Sequence, residues 1–412
     1  MSTAISPEPD PGLNAGRVRR DNLGRVLWEL HLTGSLSRSD LVARTLLDRS
    51  TIGGLVEDLV RRGLAVEKAG HGAGLPGRPS AVVQVREDSV RVLSIDIAAP
   101  SLAAAVVGLG GRVHGVIRSS QGACQRSPAE TIRALEPLVR DLVARAGGRS
   151  MIAVGVSVPG VVSPLQGTVD LAPSLGWRRI PLVELVAERL DLDLPVYLGN
   201  EAVLAARAEH LRGAGVGVRD LLYVSGEIGG GVILGGRALS SEDGRPGEIG
   251  HLPVNPGGQP CECGSRGCWR TEVGAGALLR RAGRATTHCD ASSSADAIEG
   301  VIRATVHGDR QAIQAMDEEG RWLGIGLAGL LNVLGPRRII LGGFLARIFP
   351  HVIDRILEEV DRRGLETART GLEIVPGALG EDAALLGAAE LALEPLLADP
   401  TLVAAAQITP AS

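Results

Sequence analysis

The chain has 412 residues, 44% hydrophobic and 22% charged, with a net charge of −4. This composition excludes a fibrous or wholly disordered protein, and the length is too great for one ordinary core, so two or three domains are expected. No apolar run reaches the ~18 residues needed to cross a bilayer. The opening MSTAISPEPDPGLNAG lacks the basic start and apolar segment of a signal peptide, so a cytoplasmic chain with no membrane partner is expected.

Residues 1–16, rich in Pro, Ser and Gly, read as a disordered tail. The next segment, 17–86, is basic. Gly16 to Arg86 holds 12 Arg/Lys against 7 Asp/Glu, which leaves about −9 for the rest of the chain. A basic head on an acidic body points to a polyanionic partner. The first predicted helix is Asp21–Leu32, with Leu23, Val26, Leu27 and Leu30 on one face. Ser37 caps a second, with Asp40 at the capping-box position and Leu41 and Val42 inward. TLLDRS breaks the pattern, and a third helix runs from about Ser50 to Arg62, with Ile52, Leu55, Val56 and Leu59 apolar and Gly63 as its stop. This is the helix-turn-helix layout, in which the start of the later helix reaches base edges, here Arg49, Ser50 and Thr51. AVEKAG and SAVVQV read as strands around a wing, HGAGLPGRP, whose Arg78 is placed to enter a minor groove or contact phosphate. Arg38 completes the candidate DNA contacts. A plain three-helix bundle would show the same periodicity.

From Val90, VRVLSIDIAAPSLAAAVVGLGGRVHGVIRSS reads as successive strands, with Asp96 at the end of the first. A helix from Pro128 to Ala146 leads to a strand running into Pro159-Gly160, then a loop at Ser174–Trp177. PVYLGN is a strand ending at Asn200-Glu201, where a helix begins and its dipole favours the carboxylate. LLYVSGEIGGGVILGG gives strand, glycine turn and strand, which a plain hairpin also explains. Arg321–Leu334 is a helix stopped by Pro336, RRIILGG a strand ending at Gly342-Gly343, and DAALLGAAELAL a closing helix. Residues 399–412, acidic and apolar with no further motif, read as a tail.

The densest chemistry lies in GEIGHLPVNPGGQPCECGSRGCWRTE, Gly247 to Glu272. His251, Cys261, Cys263 and Cys268 have the donor types of a tetrahedral zinc site. In a reducing compartment such clustering favours metal over disulfide. An unmetallated loop of buried or redox-active thiols is the alternative. Cys124 and Cys289 stand apart and read as structural.

Gly-Glu-Ile-Gly-His followed by Cys-x-Cys-Gly-x-x-Gly-Cys resembles the zinc motif of the ROK family of repressors, open reading frames and sugar kinases. The resemblance runs from about Arg17 to about Leu393. It implies a two-lobed sugar kinase/actin-like (ribonuclease H-like) α/β body, with a first lobe of 90–200 plus the closing helix at about 383–398 and a second of 201–382, behind a winged helix-turn-helix that the sugar-kinase relatives lack. It also implies that Glu248 contacts sugar, that His251 both ligates Zn²⁺ and lies against the sugar, and that Ser174, Asn200 and Glu201 line the same pocket. Several positions depart from the kinase pattern. Ala98, Ala99 and Pro100 stand where the kinases have a phosphate-cradling Gly-Gly-Thr, and Glu227 near a phosphate-loop glycine. Glu201 replaces the catalytic aspartate, displacing the carboxylate on a scale where 1 Å can cost ~10²-fold in rate. No kinase activity is therefore expected. Arg270 stands where the family has a sugar-binding glutamate. Either the pocket reads an anionic or unusual sugar, or Glu272 takes over, or recognition has decayed. The expected protein is a repressor, a homodimer or homotetramer on a palindromic double-stranded DNA operator, answering to a sugar-like effector. The alternatives are an ATP-dependent sugar kinase with an added head and an effector-independent regulator.

Overall fold

The computed structural model describes residues 11–68, 81–98, 101–120, 126–146, 151–191, 193–226, 228–239, 247–284 and 291–403. Arg78, Ala99, Pro100, Cys124, Glu227 and Cys289 lie outside the described residues.

The head begins with α1 (Pro11–Thr33), ten residues earlier than its apolar stripe predicts. Residues 11–16 of the expected tail are thus helical, and Pro11 suits a first helical position because its missing N–H has no partner there anyway. The short β1 (Ser35–Ser37) leads to α2 (Arg38–Thr45), where Ser37 and Asp40 form the reciprocal capping box. Leu46 then turns left-handed (φ 58°) and ends the helix. The cap of α3 (Arg49–Arg61) is Asp48, its carboxylate accepting from the Thr51 N–H at 2.9 Å. Gly63, at φ 67°, stops it as expected. β2 (Ala65–Lys68) and β3 (Val82–Val85) complete a three-stranded antiparallel sheet in the order β1-β3-β2.

The body has two sheets of five. The first contains β4 (Arg91–Ile97), β5 (Ser101–Gly108) and β6 (Val113–Ser120). After α4 (Pro128–Arg145) comes β7 (Met151–Val158). A side sheet of β8 (Val161–Ser163), β9 (Thr168–Ala172) and β10 (Trp177–Ile180) precedes α5 (Leu182–Leu190) and β11 (Val196–Asn200). The main order is β11-β7-β4-β5-β6, with β4, β7 and β11 parallel.

The second lobe opens with α6 (Glu201–Arg212), then β12 (Leu221–Val224), β13 (Gly230–Leu234) and β14 (Arg237–Ala238). Four helices follow: α7 (Trp269–Glu272), α8 (Ala275–Arg281), α9 (Ala291–Val306) and α10 (Arg310–Leu334). The last is capped by Asp309 and starts eleven residues before the expected Arg321. β15 (Arg338–Leu341), α11 (Phe344–Arg363), α12 (Glu366–Arg369) and β16 (Glu373–Pro376) finish a sheet ordered β14-β13-β12-β15-β16.

The chain then returns as α13 (Ala383–Ala398). This helix packs on β4 and β7 of the first lobe, on α6, and on α1 of the head. Its contacts are close ones. A Cβ at Gly387 would fall 2.0 Å from the Leu204 carbonyl oxygen of α6, and one at Gly24 of α1 would fall 2.6 Å from that of Ala398. The expected tail after 398 is also partly packed: Arg62 donates to the Val403 carbonyl at 3.0 Å, and Val403 is buried. Among the described residues no helix is long and apolar enough to cross a membrane.

Candidate functional site

The Gly247–Glu272 stretch folds back on itself as a knuckle. Val254 and Asn255 donate to the Gly267 carbonyl, Cys261 to that of Ser265, and Trp269 to that of Leu252. Trp269 anchors the knuckle by filling the second lobe's core and donating its indole N–H to the Trp322 carbonyl at 2.8 Å. The folding gathers His251, Cys261, Cys263 and Cys268, whose ligand atoms all lie within 4.8 Å of one another. His251 Nδ1 is 3.6 Å from Cys261 Sγ, and Cys263 Sγ is 3.6 Å from Cys268 Sγ. With Zn–S near 2.3 Å and Zn–N near 2.0 Å, tetrahedral edges are about 3.6–3.8 Å, so the donors fit one tetrahedral cation. Burial and the adjoining thiols push Cys268 up to about 12, a penalty that a bound cation relieves. The outer nitrogen of the imidazole, Nε2, lies 3.8 Å from Glu248 Oε2. A carboxylate there orients a ligating histidine.

The knuckle's start faces the Ile228–Gly230 turn. Gly230 donates to the Gly247 carbonyl at 3.0 Å, and a Cβ on Gly250 would meet the Ile228 carbonyl oxygen at 2.4 Å and Arg270 Cβ at 3.5 Å. Across the same turn stands Glu201, whose Oε1 would be 3.8 Å from a Cβ on Gly229. One turn therefore separates Glu201 from Glu248, His251 and Arg270. Burial raises the Glu248 carboxyl against the pull of Arg270, and burial with Arg270 keeps the His251 imidazole low and neutral, the form that ligates metal. Arg270 forms no ion pair within 4.0 Å among the described residues.

One of the expected pocket residues, Asn200, is otherwise engaged. Asn200 caps α6: its Oδ1 accepts from the Ala202 and Val203 N–H groups at 2.9 and 3.1 Å, and its Nδ2 donates to the Gly160 carbonyl at 2.8 Å. Ser174 sits half-buried in the single turn that joins β9 to β10. The suggestion that Glu272 takes over from Arg270 fails. Glu272 is buried, accepts from Asn255 Nδ2 at 3.1 Å and pairs with Arg281 at 3.7 Å, so it braces the knuckle from behind.

In the head, Arg49 is exposed at the first position of α3. The Ser50 and Thr51 hydroxyls donate to Asp48 at 2.5 and 2.7 Å. Arg38 is not free, since its guanidinium is paired with Glu67 of β2 at 2.8 and 2.9 Å. Sequence reasoning missed a buried group elsewhere: His31, Arg212 and Glu390. The available signals were a histidine on the apolar stripe of α1 and an acid, Glu390, within the apolar closing helix.

Residues 92–395 match the sequence profile of the ROK family. The xylose repressor of Bacillus spizizenii is 27% identical over 384 residues, which cover 92% of this chain and 97% of that protein. A glucokinase of Streptomyces coelicolor is 32% identical over 317 residues, covering 74% of this chain and 98% of the enzyme. The crystal structure of a ROK family transcriptional regulator, a homolog of the E. coli MLC protein, superposes with a TM-score of 0.76 at 23% identity, covering 95% of this chain and 99% of the other. The shared fold thus takes in the head as well as the body.

Proposed function

The chain belongs to the ROK family, and on that premise we propose that it is a DNA-binding transcriptional repressor whose body senses a sugar or sugar derivative. The observation that carries the reading is the head: three helices and a three-stranded sheet, with Arg49 exposed at the start of α3. In this reading residues 17–86 are a winged helix-turn-helix, α3 enters the major groove, and Arg49 reaches base edges. Ser50 and Thr51 offer their hydroxyl oxygens beside it, and Arg78 of the wing reaches phosphate or a minor groove. Arg38 holds the wing strand through Glu67 and reaches DNA only by exchanging that partner. A homodimer or homotetramer presents two heads to a palindromic operator.

His251, Cys261, Cys263 and Cys268 would hold a structural Zn²⁺, with Glu248 behind the imidazole. The ion's contribution is to fix the knuckle. The chain's own groups do the sensing: Glu201, Glu248, His251 and Arg270 stand about the Ile228–Gly230 turn, and in this reading Ser174 and Asn200 complete the pocket. With Glu272 committed elsewhere, Arg270 is the cation a ligand meets, which favours a sugar bearing a carboxylate or phosphate. The lobes are 90–200 with 383–398, and 201–382.

A kinase is the second reading, favoured by the 32% identity to a glucokinase. A regulator with no effector is the third, favoured by Arg270 in the pocket. One experiment separates them. The purified chain is incubated with fragments of its own genome, then with D-xylose, D-glucose and their acid and phosphate derivatives, and separately with ATP and hexoses. Retained fragments whose binding a sugar alters support the proposal. Fragments retained but indifferent to every sugar favour the third reading. Retention of none, with ATP turnover above ~1 s⁻¹, overturns it in favour of the enzyme.

A further inference from the structure

Head and body share one apolar core, in which Leu23, Val26, Leu27 and Leu30 of α1 pack with Leu393, Leu396 and Leu397 of α13. A polar cluster is sealed inside this junction. His31 of α1 and Glu390 of α13 are 0% and 1% exposed. The imidazole sets Nδ1 3.0 Å from the Gly110 N–H and Nε2 2.9 Å from Glu390 Oε2. Arg212, the last residue of α6, donates Nε to Glu390 Oε1 at 2.6 Å and Nη1 to the Gly110 carbonyl at 2.9 Å, with Nη2 against the imidazole. Two attractions hold Glu390 at about 2 although burial pushes it up: His31 first, then Arg212.

Stability alone does not call for such a cluster. Apolar side chains of similar volume usually hold a junction as well as a buried ion pair does. What the ion pair adds is a single discrete arrangement. Its members come from α1, α6, α13 and the turn at Leu109–Gly111, so none of these can shift without breaking a bond. The placement of Arg212 matters most. α6 has Glu201 at its first position, beside the pocket turn, and Arg212 at its last. A helix of twelve residues is about 18 Å long and moves as a rod. Arg207 of α6 also pairs with Glu394 of α13 at 2.6 Å. Beside these residues, a cleft of about 470 Å³ lined by Arg25, Trp28, Glu29 and Arg44 of the head gives α1 room to reseat.

We propose that His31, Glu390 and Arg212 form the joint through which occupancy of the pocket sets the posture of the head. This rests on the sugar-sensing reading above. A ligand held at Glu201 displaces α6 along or across its axis, Arg212 shifts against Glu390, and His31 follows or lets go. Because the bonds are either made or broken, the joint favours two states over a continuum.

The test uses the full chain, a retained genomic fragment and the sugar panel. His31→Leu removes both hydrogen bonds, whereas His31→Gln can restore them, with an amide oxygen for Gly110 and an amide N–H for Glu390. In the wild type a sugar changes fragment affinity about tenfold, within the usual range of allosteric coupling. In His31→Leu the sugar binds as tightly, by calorimetry, but the change falls below about twofold, and His31→Gln recovers it. A leucine variant that keeps the wild-type response overturns the joint and leaves the repressor reading standing. Hydrogen exchange without sugar or DNA tests the joint independently of that reading. His31→Leu should speed exchange in both α1 and α6, and acceleration confined to α1 overturns the proposal. If no sugar acts on the wild type, the sensing reading fails and the exchange result alone decides. Arg212→Lys, which keeps the charge but loses the forked contact, serves should the leucine variant not fold.

Discussion

Asn200 offers the sharpest separation between a residue that recognises ligand and one that builds the site. Its amide makes three hydrogen bonds within the chain: two cap α6 and one holds the Gly160 carbonyl. Losing an N-cap of this kind costs about 1 kcal/mol. Leaving the Gly160 carbonyl without its donor adds about 1 kcal/mol more. Asn200→Ala should therefore destabilise the chain by about 2 kcal/mol, read as a lower urea midpoint at unchanged slope. At ~2.1 cal/mol/K of unfolding entropy per residue, the melting temperature should fall by about 2 °C. Asn200→Asp keeps the cap, gains from the helix dipole and loses only the Gly160 bond, so it should fall between the two. A ligand meeting this amide would have only its one remaining N–H, so sugar affinity should drop through disordering of the Glu201 end of α6. Asn200→Ala with wild-type stability and abolished sugar binding would refute this reasoning and return Asn200 to direct recognition.

Elemental analysis should find one zinc per chain and none in Cys263→Ser. Metal at a hundred times its dissociation constant adds about 2.7 kcal/mol, or about 3 °C for a chain of this length, and a melting temperature indifferent to chelator would exclude a structural ion. Arg49→Ala should weaken operator binding by about 1–3 kcal/mol and relax the preference at one base position; a uniform loss with a shallower salt dependence would instead assign Arg49 to phosphate. Burial pushes Glu319 up to about 7, against the Gly274 N–H and Arg281, from an ordinary 4.5. The fold then binds protons that the unfolded chain releases, so stability is full below about 4.5 and declines as the pH rises through about 7. Glu319→Gln should flatten that decline, and an identical pH profile in the variant would rule out Glu319 as its source.

Local rules were readable where a few neighbouring residues decide the outcome. Ser37 and Asp40 cap α2 because the two side chains need only each other and two backbone N–H groups. Gly63 stops α3 because a left-handed residue is cheap there. The clustering of His251, Cys261, Cys263 and Cys268 was legible because thiol and imidazole donors spaced within one loop have little other use. The failures also have causes. The third helix is expected from about Ser50, but it begins at Arg49 because Asp48 caps it, its carboxylate taking the Thr51 N–H and the Ser50 hydroxyl. α10 starts at Arg310 because Asp309 caps it, yet its first turns bury Ala312, Ala315 and Met316, mostly side chains too small to mark a stripe. Arg38 looked free because its partner, Glu67, is distant in sequence, and Glu272 looked available because Arg281 and Asn255 are not its neighbours. Pairings of this kind are made by tertiary packing, and periodicity carries no record of them.

The closing helix explains why head and pocket are not independent. α13 packs at once on the first sheet, on α6 and on α1. Its contacts are made through small residues: Gly387 lets α6 approach at backbone distance, and Gly24 of α1 does the same at its far end. Close backbone packing of this sort transmits displacement, since no long side chain is available to absorb it. In such an apolar helix, with a Ser94 hydroxyl bonded to its Leu385 carbonyl on one side, a buried acid at 390 is the costliest residue to keep unpaired. Its two partners come from the head and from the helix that starts at the pocket. Any movement that separates head from body must therefore strip Glu390 of His31 while Arg212 still holds it, or move Arg212 first. The second order is the less costly, because Arg212 is nearer solvent than His31, at 14% against 0% side-chain exposure. The contacts thus part in a preferred order, Arg212 first and His31 second, and re-form in the reverse order.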